Sequence, residues 1–343
     1  MKALVFYKAG EFKLEKLEVP KPKEGEVLVK IKAGGVCATD LKILKGEKGI
    51  KSGTILGHEF SGYIAEVRGN VNLKIGDRVS VYPIIACGNC YFCIIGKRNR
   101  CLERKTLGID VNGGFAQYTL IPKEVVSLGH ILKLPNKVSY EEGALLEPLA
   151  TVVNSMDALN LSHGESILIV GAGPMGLMHL ILAKVRGASK IVVSDLLEDR
   201  LKLAKELGAD FVINPREKDL VKEIKDLTGI GIDKAVVTVG SAEAVEQAIN
   251  CVRSQGILNL FAGGGKEYTL NLDLNKIHYK EITLTGTQNA TFDQYKRSLE
   301  LVSSGRIKLK SLITHEFPLE EYYKAFDLKS ELKALKVILK PND

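Results

Sequence analysis

The chain has 343 residues, 45% hydrophobic and 26% charged, proportions that exclude a disordered or collagen-like chain and describe an ordinary globular protein. Lys plus Arg exceed Asp plus Glu by 48 to 41, a formal charge of +7, but the basic residues are scattered, so the balance reads as a solubilising surface and not as the clustered stripe of a nucleic-acid binder. No apolar run nears the ~18 residues that span a bilayer, and Met1-Lys2-Ala3-Leu4-Val5-Phe6-Tyr7-Lys8 meets a charge too soon for a secretory signal; a cytoplasmic protein without membrane or nucleic-acid partners is expected.

At ~100–200 residues per domain the length suggests two domains. Up to about residue 150 short alternating runs are separated by Gly and Pro: Val27, Val29 and Ile31 alternate with Glu26, Lys30 and Lys32 after the turn residues Pro20, Pro22 and Gly25, the pattern of half-buried antiparallel strands. Gly57, Gly62, Gly76, Gly113 and Gly114 punctuate the rest of this region. From Glu165 the rhythm changes to short apolar strands, expected at 166–170, 190–194, 211–213, 234–239, 256–261 and 282–286, alternating with helices at 174–186, 198–207, 220–227 and 242–251. That alternation predicts a parallel, doubly wound sheet, because each crossover returns the chain to the same sheet. Helices at 293–304 and 319–328 and a strand at 336–339 come after it, the last placed to rejoin the first domain.

Gly171-Ala172-Gly173-Pro174-Met175-Gly176 directly follows the strand Ile167-Leu168-Ile169-Val170 and opens a helix. In that position Gly171 permits the tight turn, Gly173 lets backbone approach a pyrophosphate and Gly176 lets the helix pack closely, while the helix N-terminus offers free N–H groups to phosphate. Met175, inside the turn, is placed to touch the nicotinamide side. Asp195 stands nineteen residues after Gly176, near the ~20 at which an acidic side chain meets the adenosine ribose. This predicts NAD over NADP, with Arg200 one turn into the next helix within reach of a ribose oxygen or a 2′-phosphate. Glycines at an ordinary turn with Asp195 as a helix cap are the bland alternative.

Six cysteines occur, at 37, 87, 90, 93, 101 and 251. In a reducing compartment the cluster Cys87, Cys90, Cys93 and Cys101 reads as metal ligation. Four thiolates close a tetrahedral zinc shell and leave no place for substrate, so this zinc would be structural; an iron–sulfur cluster is the rival. Cys37, in Gly35-Val36-Cys37-Ala38-Thr39-Asp40, and His58 and Glu59, in Gly57-His58-Glu59-Phe60-Ser61-Gly62, supply a thiolate, an imidazole and a carboxylate, a set that leaves a zinc position open. Cys251 falls in an amphipathic run and reads as core, and His130, His163, His179, His278 and His315 have no ligand-like neighbours.

These motifs, in this order, resemble zinc-dependent medium-chain dehydrogenases over essentially the whole chain, and Glu147-Pro148-Leu149-Ala150 resembles the polyol and threonine dehydrogenase branch. The resemblance implies an α/β protein: a GroES-like catalytic domain at 1–153 and 290–343, carrying a zinc lobe at about 85–103, against a Rossmann NAD-binding domain at 154–289. It implies two zinc ions per chain, with Cys37, His58 and Glu59 as catalytic ligands and Glu147 binding zinc directly or through its water. Thr39 matches the hydroxyl that takes the substrate proton; a Thr capping a short helix is its local alternative. The implied reaction is oxidation of a secondary hydroxyl of a small-molecule alcohol, a polyol or sugar alcohol, to a ketone with NAD. L-threonine and sugar-alcohol phosphates are the alternative substrates, and a homo-oligomer, tetramer or dimer, is implied. Two positions depart from the pattern. Lys42 stands where many of that branch carry His, and Arg68 and Asn70 flank Gly69 in a loop where relatives commonly have Gly.

Overall fold

The computed structural model describes residues 1–264 and 268–341. It divides into two compact units, Met1–Ala150 with Ala290–Asp343, and Thr151–Asn289. The first boundary falls three residues before the expected one, inside the helix Leu146–Leu159, where no turn residue marks it.

In the first unit the strand Val27–Gly35 is the organising element. It pairs antiparallel with Glu59–Val67, with Tyr118–Ile121 and, through Gly34 and Gly35, with Lys336–Lys340. Val27, Val29 and Ile31 are fully buried and pack with Phe60, Ile64, Val79, Val81 and Ile121, as a strand with one face on a core requires. Arg78–Val81 and Ile131–Lys133 extend this seven-stranded sheet on one side, and Ile313–Pro318 closes the other, parallel to Lys336–Lys340. Ile313–Pro318 escapes the hydrophobic pattern because it is a partly exposed edge strand in which polar residues separate its few apolar ones. The helix expected at 319–328 is a 3-10 turn, Leu319–Glu321, followed by the helix Tyr322–Ser330.

The second unit is a six-stranded, all-parallel sheet in the order Phe211–Ile213, Lys190–Ser194, Ser166–Val170, Ile232–Val237, Val252–Leu260, Thr283–Gly286. The order reverses beside Ser166–Val170, and in such sheets ligands bind outside the carboxyl ends of the strands at that switch point. Four of its helices, Pro174–Val185, Glu198–Glu206, Leu220–Thr228 and Ala242–Cys251, match the sequence expectation to within a residue. Two strands differ more. The one expected at 234–239 begins at Ile232 and stops at Val237, because Thr238 turns to bond the backbone of the neighbouring strand. The one expected from 256 begins at Val252; an irregularity follows, with Gln255 at φ +61°, and the polar residues Arg253, Ser254 and Gln255 disguise it. Among the described residues no helix is long and apolar enough to cross a membrane.

Candidate functional site

Where the strand Val27–Gly35 ends, the chain turns into the helix Ala38–Leu44 with Cys37 at its cap. The Cys37 N–H donates to Asp40 Oδ2 at 2.8 Å, so the carboxylate at the third helical position fixes the backbone that presents the thiol. Glu59 starts the partner strand and lies opposite Gly35. A Cβ on Gly35 would stand 2.3 Å from Glu59 Oε2, so that glycine makes the room the carboxylate occupies. Gly57, at φ +94°, turns the chain into His58, and a Cβ on Gly108 would lie 2.4 Å from the Gly57 carbonyl, so the backbone behind His58 is packed without slack. The ligand atoms of Cys37, His58 and Glu59 lie within 4.8 Å of one another.

The surroundings are strongly charged. Lys336 Nζ, 2% exposed on its side chain, donates to both oxygens of Glu59 at 2.5 and 2.8 Å. Although burial opposes ionisation, the Lys336 ammonium holds the Glu59 carboxyl below the usual carboxylate range. Asp40 Oδ1 faces His58 Nδ1 at 3.8 Å, and neither atom has a hydrogen-bond partner among the described residues. Burial lifts Asp40 to about 6. For His58 burial works against the charged ring, but the Cys37 thiolate and the Asp40 carboxylate raise it to about 10. Glu147, in the first turn of Leu146–Leu159, is not one of the three converging donors; it lies within electrostatic reach of His58 and Glu59, and burial, with Glu59 adding to it, raises it to about 7. Three acids and a thiol surround one imidazole and one ammonium, and converging sulfur, nitrogen and oxygen donors, with the Asp40 carboxylate facing the imidazole from another side, fit zinc.

Asp40 and Lys336 are the residues sequence reasoning missed. Asp40 carried a signal, a carboxylate three residues after a helix cap; Lys336, 277 residues from Glu59, carried none. Thr39 is half-buried at the second helical position, so the cap belongs to Cys37, which corrects the capping alternative. Lys42 is exposed. It is Lys48 that comes within electrostatic range of Cys37 and Asp40, with Arg104 and Asp110 nearby, and burial lowers its ammonium pKa. Gly69, at φ +86°, supplies the left-handed turn between Arg68 and Asn70.

The thiol lobe is framed by the two-stranded pair Ile84–Ile85 and Lys105–Thr106. Sulfur–sulfur distances are 3.5 Å for Cys90–Cys93, 3.5 Å for Cys87–Cys101 and 4.0 Å for Cys87–Cys93, close to the ~3.8 Å edge of a tetrahedron with ~2.3 Å zinc–sulfur bonds. The backbone N–H groups of Leu102 and Cys93 bring the Cys90 thiol down to about 6, whereas burial pushes Cys93 up to about 12; a cation at the centre would favour the thiolate at both. His130, fully buried, places Nδ1 3.1 Å from the Ile84 carbonyl and Nε2 3.4 Å from Arg98 Nη1 of the lobe, a structural histidine as expected. Cys251 is buried. Replacing Cys90 by Ser leaves an incomplete shell whose binding energy is partly folding energy. Differential scanning fluorimetry with metal analysis is expected to record one zinc fewer and a melting temperature several degrees lower, at ~2–4 °C per kcal/mol lost, before any change in turnover; iron and sulfide, or an unchanged melting point, would count against a structural zinc.

In the second unit the glycine-rich turn runs from Val170 into Pro174–Val185. A Cβ on Gly173 would meet nothing within 4 Å, whereas one on Gly176 would lie 1.8 Å from the Gly171 carbonyl: the first faces open space and the second is closed by packing. Asp195, just past Lys190–Ser194, accepts the Ala172 N–H at 2.6 Å and the Leu197 N–H at 2.9 Å. Arg200 is half-buried and within electrostatic reach of Asp195. Met175 is half-buried in the turn, and Met178 and Leu182 pack inward.

Residues 23–133 match the alcohol dehydrogenase GroES-like domain and 174–304 the zinc-binding dehydrogenase domain. The chain is 37% identical to L-threonine 3-dehydrogenase of Pyrococcus horikoshii, over 95% of this chain and 94% of that one, and 36% identical to sorbitol dehydrogenase of Bacillus subtilis, over 100% and 98%. A zinc-binding dehydrogenase from Sinorhizobium meliloti 1021, solved bound to NADP, superposes with a TM-score of 0.93 at 28% identity, covering 99% of each chain. The chain therefore belongs to the zinc-dependent medium-chain dehydrogenase family. It is an oxidoreductase of the alcohol dehydrogenase type, with a GroES-like and a Rossmann unit and with zinc and a nicotinamide dinucleotide as cofactors.

Proposed function

We propose that the protein oxidises a secondary hydroxyl of a polyol or sugar alcohol reversibly to a ketone, with NAD as oxidant. The convergence of Cys37, His58 and Glu59 within 4.8 Å is the observation that carries this reading. Zinc there supplies Lewis acidity to the hydroxyl and NAD the hydride acceptor. Cys37, His58 and Glu59 hold the metal, with Glu147 binding it directly or through its water; Asp40 orients the His58 ring; Thr39, beside Cys37, relays the hydroxyl proton outward, giving up its own proton as it accepts that of the substrate. Cys87, Cys90, Cys93 and Cys101 hold a second, structural zinc.

A second reading has its own support. Lys48, with Arg104 nearby, sets positive charge within range of Cys37, which suits a phosphate or carboxylate on the substrate and so a sugar-alcohol phosphate or L-threonine. NADH formation followed across polyols, sugar alcohols, their phosphates, threonine and simple secondary alcohols separates the two; turnover confined to anionic substrates would overturn the polyol reading. The protein acts as a homo-oligomer in this proposal, because the edge strand Thr283–Gly286 exposes Leu284 without Lys or Pro to guard it.

NAD is expected to be preferred over NADP by at least about a hundredfold, roughly 2.7 kcal/mol, although a close structural relative binds NADP. The Asp195 carboxylate accepts hydrogen bonds from ribose hydroxyls and repels a 2′-phosphate. Because Asp195 also holds the Ala172 N–H, Asp195→Gly loses NAD affinity twice over and gains NADP use through Arg200. Steady-state kinetics with both cofactors checks this; equal efficiency with NADP in the unmodified protein would assign the choice to Arg200.

A further inference from the structure

We propose that Thr238 is a positioning residue for the dinucleotide, its hydroxyl holding the glycine-rich turn from below in the conformation that meets the pyrophosphate; the inference rests on the NAD reading above. Thr238 follows the strand Ile232–Val237, whose last residue pairs with Val170. Its N–H donates to the Val170 carbonyl at 2.9 Å, and its Oγ1 lies 2.9 Å from the same oxygen and 3.2 Å from the Gly171 carbonyl. One hydroxyl proton thus serves two successive carbonyls at the point where strand becomes turn.

Glycine geometry makes the same point independently. A Cβ on Gly171 would lie 2.5 Å from Thr238 Oγ1, and one on Gly176 would lie 3.2 Å from it. Two of the three glycines therefore leave space for a side chain that follows Gly171 by 67 residues. Gly171, at φ +101°, occupies a backbone region that glycine alone enters freely, and its freedom has to be removed before a ligand arrives. From one side the Ser194 carbonyl accepts the Gly171 N–H at 2.7 Å and Asp195 accepts that of Ala172. Thr238 supplies the opposing hold on the carbonyls. A turn fixed from both sides presents its amides without an ordering cost at binding.

Thr238→Val keeps the shape and removes the hydroxyl, Thr238→Ala removes it without crowding, and Thr238→Ser retains it. NADH dissociation constants by fluorescence, KM for NAD and for the alcohol, and amide hydrogen exchange over residues 167–177 without cofactor are the measurements. The Val and Ala variants are expected to raise the NADH dissociation constant and the KM for NAD about fivefold, a span one hydrogen bond covers, and to speed exchange at Ala172 by a similar factor, with the shift falling on NAD and not on the alcohol. The Ser variant is expected to stay within twofold of the parent. Parental NADH binding in both Val and Ala variants, weakening in Val alone, which would signify crowding, or equal weakening in Ser, which would signify loss of the methyl, each overturns the role. Should the parent bind no NADH, the functional reading fails, and unchanged exchange in the Val and Ala variants then overturns the role of Thr238 by itself.

Discussion

Replacing Cys37 by Ser, or His58 by Ala, is expected to lower turnover by roughly 10³-fold or more, since the charge stabilisation at stake is several kcal/mol and each ~1.4 kcal/mol is tenfold in rate. Each change should also remove one zinc of two and leave circular dichroism and the thiol lobe unaltered. The fold should survive because the site is held from behind by elements that do not depend on the ligands. Gly35 pairs with Glu59, Asp40 closes on the Cys37 N–H, and the glycines around His58 pack backbone against backbone. Retained activity in either variant, with two zinc ions still bound, would sink the assignment of this centre.

Removing Lys336 has the largest expected effect on stability. In the metal-free protein Lys336→Met leaves the Glu59 carboxylate buried without its ammonium, and breaking a buried pair in this way costs ~3–5 kcal/mol, on the order of 10 °C in melting temperature. The double variant Lys336→Met with Glu59→Gln removes the orphaned charge and is expected to recover most of that loss, so thermal melts of the two separate a charge effect from a packing defect. The pH dependence has a definite sign. Glu59 is held below its unfolded value, so its contribution is present above the ordinary carboxylate range and disappears as the pH falls through the depressed value. For Lys336, burial disfavours the ammonium but Glu59 outweighs it and raises the pKa, so its contribution is lost only as the pH climbs through the raised value. The pair therefore stabilises the protein across the neutral range, and single melts at pH 7 and near pH 3 should differ far less in the double variant than in the parent.

What could be read from sequence is what is local. Cys87, Cys90, Cys93 and Cys101 lie within fifteen residues, Gly57-His58-Glu59 is one turn, and Gly171 to Gly176 occupies one strand-to-helix junction, so spacing alone carries their chemistry. The parallel sheet was legible for the same reason: each strand and crossover repeats a short pattern, and Phe211–Ile213 or Ala242–Cys251 could be bounded from apolar period and flanking residues. Lys336 and Thr238 were not legible, because each acts on a group far away in the chain and nothing in its own neighbours distinguishes it from a surface residue. Lys336 even sits at the start of a strand whose apolar run announces core, and only the register that sets Ile338 opposite Gly35 brings it to Glu59.

The partnership of Glu59 with Lys336 sets an order on how the molecule is made. Residues Thr151–Asn289 form a compact unit from uninterrupted chain and can close as soon as they leave the ribosome, whereas the unit that holds Cys37, His58 and Glu59 must wait for a strand synthesised 277 residues after Glu59. At ~5–20 residues per second that is an interval of roughly 15 to 55 seconds. Throughout it Glu59 has no ammonium to meet, the sheet edge at Gly34 and Gly35 is unpaired, and the thiol and imidazole stand open to any soft metal in the surrounding solution. The nascent chain thus passes through a stage in which its Rossmann unit can be complete while its GroES-like unit is an unfinished sheet, and a chaperone or a zinc supply would exert its influence in that interval.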